Sequence, residues 1–201
     1  MKHGWRAAAL LAVAAVLAAC TGTIKPGASS PAALQAWQGR RAQLEQLHGF
    51  SLQGRMAATG VVSFGGALSW VQAGERFEAR FYGPLGVGAV AVSGVPGDVE
   101  VHTKDGTYQT QAPEDFMQDQ LGFSVPVEGL RYWVLGLPAP DSRPQLQLDD
   151  AGRVRHLSQD GWELDYADYQ AVGTLDLPRK FTLSDRERGF RLVIDRWLEV
   201  D

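Results

Sequence analysis

One antiparallel β-sheet of ten or eleven strands, curled toward a barrel and interrupted once by helices, is the fold this sequence predicts. Three observations predict it. From Gly49 onward, short segments alternate apolar and polar residues with a period of two, and Gly, Pro and Asp turns separate them. Helical patterning occurs only ahead of the first strand and in a single interruption between Pro113 and Leu135. No linker and no internal repeat divides the chain, so the strands belong to one domain.

The elements follow in order. Ser30 is a helix N-cap and Pro31 suits the first helical position. Leu34, Trp37, Leu44 and Leu47 form an apolar stripe, which predicts a helix over 31–47. Phe50, Leu52 and Met56 then share one strand parity, and Leu68, Trp70 and Gln72 share another strand face. Phe77, Ala79 and Phe81 alternate with charged residues from Arg76 to Arg80. Val99 and Val101 precede Lys104-Asp105-Gly106, a hairpin signal leading to Tyr108. Pro113-Glu114-Asp115 opens a short amphipathic helix carrying Phe116, Met117 and Leu121. A second helix over 127–135 carries Leu130, Trp133 and Val134, and Gly136 and Pro138 stop it. Strands resume with Leu146 and Leu148, and a turn at 149–152 leads to Val154–Leu157. Asp160-Gly161 turns the chain into Trp162–Tyr166, and Lys180–Leu183 and Phe190–Trp197 complete the series.

The N-terminus carries a different signal. Lys2 and Arg6 precede an apolar run, Ala7 to Ala19, that is shorter than the about 20 residues a membrane span needs. Leu17-Ala18-Ala19-Cys20 places a cysteine directly after two small residues, as in a bacterial lipoprotein signal. An ordinary cleaved signal with an incidental cysteine is the alternative. The small residues at both required places and the lack of a second cysteine favour acylation of Cys20. The expected organisation is a signal peptide over 1–19, a flexible tether over 20–30 rich in Gly, Pro and Ser, and a domain over 31–201. Thr21 replaces the aspartate that tends to retain lipoproteins in the inner membrane, which favours the outer membrane.

Charge and chemistry exclude several functions. Loss of Lys2 and Arg6 from 19 basic residues leaves 17 against 23 acidic ones, a net charge of −6. That argues against nucleic acid and against broad electrostatic attachment to anionic lipid. Membrane attachment would instead come from acyl chains, at about 0.8 kcal/mol per buried CH₂. His48, His102 and His156 fall on separate elements and suggest no metal site. No phosphate-cradling glycine loop, Gly-x-Ser-x-Gly elbow or cysteine nucleophile occurs. Glu163 and Asp165 alternate with Trp162, Leu164 and Tyr166, which puts them on a solvated face rather than in a catalytic pair. No catalytic residue, metal or cofactor is expected.

Tyr82-Gly83-Pro84-Leu85-Gly86-Val87-Gly88 stands apart. Gly83 and Pro84 force a turn, and small residues flank Leu85 at its tip. Leu85 either folds back to plug the barrel end or is an exposed probe for a membrane or partner.

These segments together resemble the LolB family of outer-membrane lipoprotein receptors. The similarity runs from about Trp37 to Trp197. Its carriers are the lipobox, Leu52-Gln53-Gly54-Arg55-Met56-Ala57, Ala67-Leu68-Ser69-Trp70, Gly83-Pro84-Leu85-Gly86, Tyr132 to Pro138, Gln159-Asp160-Gly161-Trp162, Leu177-Pro178-Arg179-Lys180 and Val193 to Trp197. The resemblance implies an unclosed antiparallel β-barrel of about 11 strands, mainly β with helices, whose helical lid covers an apolar cavity. It implies a receptor that takes acylated lipoproteins from a soluble periplasmic carrier, LolA-like, and inserts them into outer-membrane lipid. Leu85, between Pro84 and Gly86, is then the membrane-insertion residue. Candidate cavity residues are Met56, Leu68, Trp70, Phe77, Phe81, Phe116, Leu121, Trp133, Trp162 and Tyr166, each of which could equally pack a plain core. A monomer, lipid-anchored and facing the periplasm, is expected. The competing readings are a structural lipoprotein that scaffolds envelope assembly and an envelope hydrolase.

Overall fold

The computed structural model describes residues 29–59, 64–83, 89–121, 124–140 and 142–201. Helix α1 (Pro31–Leu44) leads into six strands, β1 (Gly49–Thr59), β2 (Phe64–Ala73), β3 (Arg76–Tyr82), β4 (Val90–Val95), β5 (Asp98–Thr103) and β6 (Gly106–Thr110). Helices α2 (Pro113–Leu121) and α3 (Val127–Trp133) follow. Five strands complete the chain: β7 (Gln145–Leu148), β8 (Val154–Gln159), β9 (Trp162–Val172), β10 (Leu175–Ser184) and β11 (Gly189–Val200).

All eleven strands form one sheet in the order β6-β5-β4-β3-β2-β1-β11-β10-β9-β8-β7. Every pairing is antiparallel, and only β1 with β11 joins strands distant in sequence. The edges β6 and β7 do not pair with each other, so the barrel stays open. Helices α2 and α3 lie in the chain between those two edges.

Irregularities in the sheet have local causes. Pro178 cannot donate a ladder hydrogen bond, and the β9–β10 register shifts between Pro178 and Lys180. The β1–β11 register shifts on either side of Leu52–Gln53, and such bulges increase local twist and bend the strand. Gly54 follows that bulge, where an added Cβ would collide with the Val193 carbonyl.

Helix α1 begins as predicted, with the Ser30 hydroxyl accepting from the Ala33 N–H at 3.1 Å. It ends at Leu44 rather than residue 47. Gln46 and Leu47 tighten into three-residue turns, and the His48 and Gly49 N–H groups donate to the Asp201 carbonyl. Its buried stripe is Ala33, Trp37 and Leu44, and Leu34 is 48% exposed. The β7–β8 turn comes close to the same helix: at Gly152, an added Cβ would come within 2.6 Å of the Trp37 backbone nitrogen. The small side chain that meets this turn is Ala36, whose Cβ lies 2.7 Å from the same position. The Arg40 guanidinium, bonded to the Asp176 carbonyl, lies over the Tyr169 ring and secures the same helix to the sheet. Ser29 joins this contact, because its hydroxyl accepts from the Leu148 N–H on edge strand β7.

Candidate functional site

The inner face of the sheet divides into two halves. Under α2 and α3, strands β1 and β2 contribute Met56, Leu68 and Trp70. Strands β3 and β4 contribute Ala79, Phe81, Val90 and Val92. The period of two puts each of these on the inner face. From the helical side come Met117, Val125, Val127 and Leu130. Val127 and Leu130 are three residues apart and so face the same way. Together these groups enclose an apolar cavity of about 50 Å³. That is room for little more than a water or two, so an acyl chain does not fit with the helices as they lie.

The other half of the interior is filled by aromatic packing. Trp133 and Trp162 lie 6.4 Å apart, and Trp162 and Phe190 6.2 Å apart. Tyr166 stacks on Phe181 at 5.2 Å. The Tyr166 hydroxyl donates to the Trp133 carbonyl at 2.8 Å, and burial holds its proton well above the usual phenol range.

Four of the sequence-predicted cavity residues therefore come together around the cavity: Met56, Leu68, Trp70 and Phe81. Five do not line it. Phe77 packs beside Trp70 at 5.7 Å, on the inner face but a step further along β3. Phe116 packs instead on Tyr108 of edge strand β6 at 5.0 Å, at the margin of the core. Trp133, Trp162 and Tyr166 belong to the filled half. Nothing is described of the Leu121 side chain, and Cys20, Pro84, Leu85 and Gly86 lie outside the described residues. Ala79, Arg80, Val90, Val92, Met117, Val125, Val127 and Leu130 complete the lining and were not among the candidates. Parity with Phe77 and Phe81 pointed to Ala79, and spacing pointed to Leu130. Their modest size drew no notice.

The helices are held by few polar ties. The Glu114 carboxylate of α2 accepts from the Val127 N–H at 3.1 Å, capping α3 where Pro126 offers no side-chain cap. Burial raises the Glu114 pKa, against the opposing effect of that N–H. Gln159 is the second tie; the sequence marked it only as part of the Gln159-Asp160-Gly161-Trp162 segment and gave it no role. It accepts from Trp133 Nε1 at 3.0 Å and from the Ala139 N–H at 2.9 Å, and donates to the Ala139 carbonyl at 2.8 Å. The only signal of that role was a glutamine at an inward-facing strand position before the Asp160-Gly161 turn. Between the helices, the Ser124 hydroxyl is buried with no hydrogen-bond partner among the described residues.

No group of three metal-ligating residues occurs among the described residues. His156 sits between Glu163 and Asp165 at 2.9 Å from each, on the outer face where the two acids were expected. Among the described residues no helix is long and apolar enough to cross a membrane.

Comparisons with known proteins agree with this architecture. A crystal structure of a LolA superfamily protein from Nitrosomonas europaea superposes with a TM-score of 0.53 over 84% of this chain and 94% of that one. The two are 8% identical in sequence, so the likeness concerns the fold alone. Outer-membrane lipoprotein LolB of Pseudomonas fluorescens is 35% identical over 190 residues, covering 92% of this chain and 91% of the relative. The proteins of the same name from Pseudomonas putida F1 and Pseudomonas syringae pv. syringae are 36% and 37% identical, each over about 80% of both chains. The sequence profile of the family described as outer membrane lipoprotein LolB matches residues 48–197. With that match spanning the sheet and both cavity-covering helices, the chain belongs to the LolB family of outer-membrane lipoproteins.

Proposed function

We propose that the chain accepts acylated lipoproteins from a LolA-like periplasmic carrier and inserts them into the outer membrane. The observation that carries this reading is the uneven interior. One half is locked by aromatic packing, and the other is an apolar cavity under helices with few polar ties. An acyl chain gains about 0.8 kcal/mol for each CH₂ it buries, so a widened apolar chamber is a favourable stop between carrier and bilayer.

Widening requires α2 and its connection to α3 to move. Three features support that movement. The barrel is unclosed, so edge strand β6 can shift without breaking a ladder with β7. The buried Ser124 hydroxyl has no partner among the described residues, a cost of about 1–3 kcal/mol that opening relieves. Met117 is unbranched and adapts to an irregular apolar guest. Gln159 and Tyr166 hold α3 at its Trp133 end, so the helices pivot there rather than detach. No step in this transfer calls for catalysis or a cofactor.

In this reading Cys20 bears the acyl anchor, 1–19 is the signal peptide, and 20–30 is the tether of the 31–201 domain. Leu85 enters the bilayer surface when cargo is released. The scaffold alternative expects a fully packed interior, a description that fits only the half around Trp133, Trp162 and Tyr166.

The test uses the chain from residue 20 with Cys20→Ala, which cannot be acylated. It is mixed with carrier loaded with an acylated lipoprotein, then with liposomes. The native sequence should take the cargo and pass it on. Leu85→Glu should take it and fail to pass it on. A folded native domain that never takes cargo overturns the receptor reading and favours the scaffold.

A further inference from the structure

The outer face of the sheet has one region unlike the rest of the surface. Tyr82 on β3 pairs with Ala67 on β2, Ala67 with Arg55 on β1, Arg55 with Val193 on β11, and Val193 with Lys180 on β10. In the adjoining row Gly65 pairs with Ala57, and Ala57 with Arg191. Their chain neighbours Met56, Leu68 and Leu192 are buried inside, so these residues share the outer face. Here lies an open trough of about 930 Å³, floored by Ala57, Gly65, Ala67 and Ala167. Its walls carry four cations, Arg55, Arg179, Lys180 and Arg191, and one acid, Asp168.

The charges are unbalanced in favour of anions. Arg55 pairs with Asp195 at 2.8 Å and Arg179 with Asp168 at 2.9 Å. Lys180 and Arg191 are exposed and have no carboxylate partner among the described residues. Glu163 and Asp165, which flank His156, do not line the trough. A chain of net charge −4 thus places two uncompensated cations over a floor of small residues. At the end of the row Tyr82 is 43% exposed, and its amphipathic ring suits a membrane–water interface.

We propose that this trough binds the phosphate headgroups of anionic phospholipid and sets the domain's orientation on the membrane. Small side chains let phosphate oxygens come close to the sheet, where the Arg191 fork and the Lys180 ammonium can meet them. The inference rests on the receptor reading only in requiring that the domain work at a membrane. An acidic protein surface would match the charge as well, but the floor of Ala57, Gly65, Ala67 and Ala167 gives it no large side chain to pack against.

The experiment measures co-sedimentation of the Cys20→Ala chain with phosphatidylethanolamine vesicles, with and without phosphatidylglycerol. Phosphatidylglycerol should strengthen binding, and added salt should weaken it. Lys180→Ala and Arg191→Ala should each weaken it about fivefold, and the pair about 30-fold. Arg76→Ala, an outer-face cation outside the trough, should leave it unchanged. An unchanged thermal midpoint in the double variant establishes that the fold is intact. Equal binding to both vesicle types, or full binding by the double variant, overturns the proposal. So does a double variant that loses the carrier but keeps the vesicles, because the trough would then serve an acidic protein. Failure of cargo transfer alongside Lys180- and Arg191-dependent vesicle binding counts against the receptor reading and leaves this one standing.

Discussion

Gln159 offers the sharpest test of how the helices are held. Its side chain is 2% exposed and makes four hydrogen bonds: two with Ala139, one from Trp133 Nε1 and one to Ser142 Oγ at 2.7 Å. Gln159→Leu keeps the bulk and removes every polar atom. Trp133 is 1% exposed, so its N–H is left buried and unpaired, at about 1–3 kcal/mol. Ala139 is half-buried and recovers part of its loss through water. The expected cost is about 3–4 kcal/mol in all. Urea unfolding of the Cys20→Ala chain measures it. Trp133→Phe removes the orphaned donor, so the double variant should be less destabilised than the sum of the two singles by about 1–2 kcal/mol. A Gln159→Leu cost below about 1 kcal/mol, or strict additivity, refutes the assignment of Gln159 as the anchor of α3.

Other expectations follow from the same structure. Burial raises the folded-state pKa of Glu114, so its contribution is greatest below the ordinary carboxylate range and is lost as pH rises through the folded value. Glu114→Gln cannot ionise, so its urea midpoint should gain on the native one between about pH 4 and pH 7. A gap that stays flat contradicts this. At Gly66 an added Cβ would collide with the Tyr82 carbonyl, and Gly66→Ala should cost about 1–3 kcal/mol in the same assay. A neutral result would mean that β2 and β3 separate more readily than their pairing suggests.

Much of this fold is legible in the sequence because strand periodicity is local. Phe50, Leu52 and Met56, and likewise Leu68, Trp70 and Gln72, are buried on the faces their parity assigns. The signals around Ser30, Pro113 and Asp160-Gly161 mark boundaries that the chain obeys. Two kinds of information were not local. Leu34 looked like part of the α1 stripe, but the face that α1 buries carries Ala33, Trp37 and Leu44. Parity likewise places Phe81 and Tyr166 inside without telling cavity from packing. Phe81 borders the cavity because medium-sized residues such as Ala79, Val90 and Val92 surround it, whereas Tyr166 has Phe181 stacked against it. Gln159 was visible only as part of a family segment, because its role depends on Trp133, which lies 26 residues away.

Two adjacent residues provide the most direct test of where an acyl chain goes. Phe81 borders the cavity, and Tyr82 faces outward on the same strand. A photo-reactive azidophenylalanine at either position preserves the aromatic shape. After transfer of acylated cargo from the carrier, illumination should link the acyl chain to position 81 and not to position 82. Crosslinking at 82 alone, or at neither position while cargo is bound, contradicts an acyl-binding chamber beneath α2 and α3.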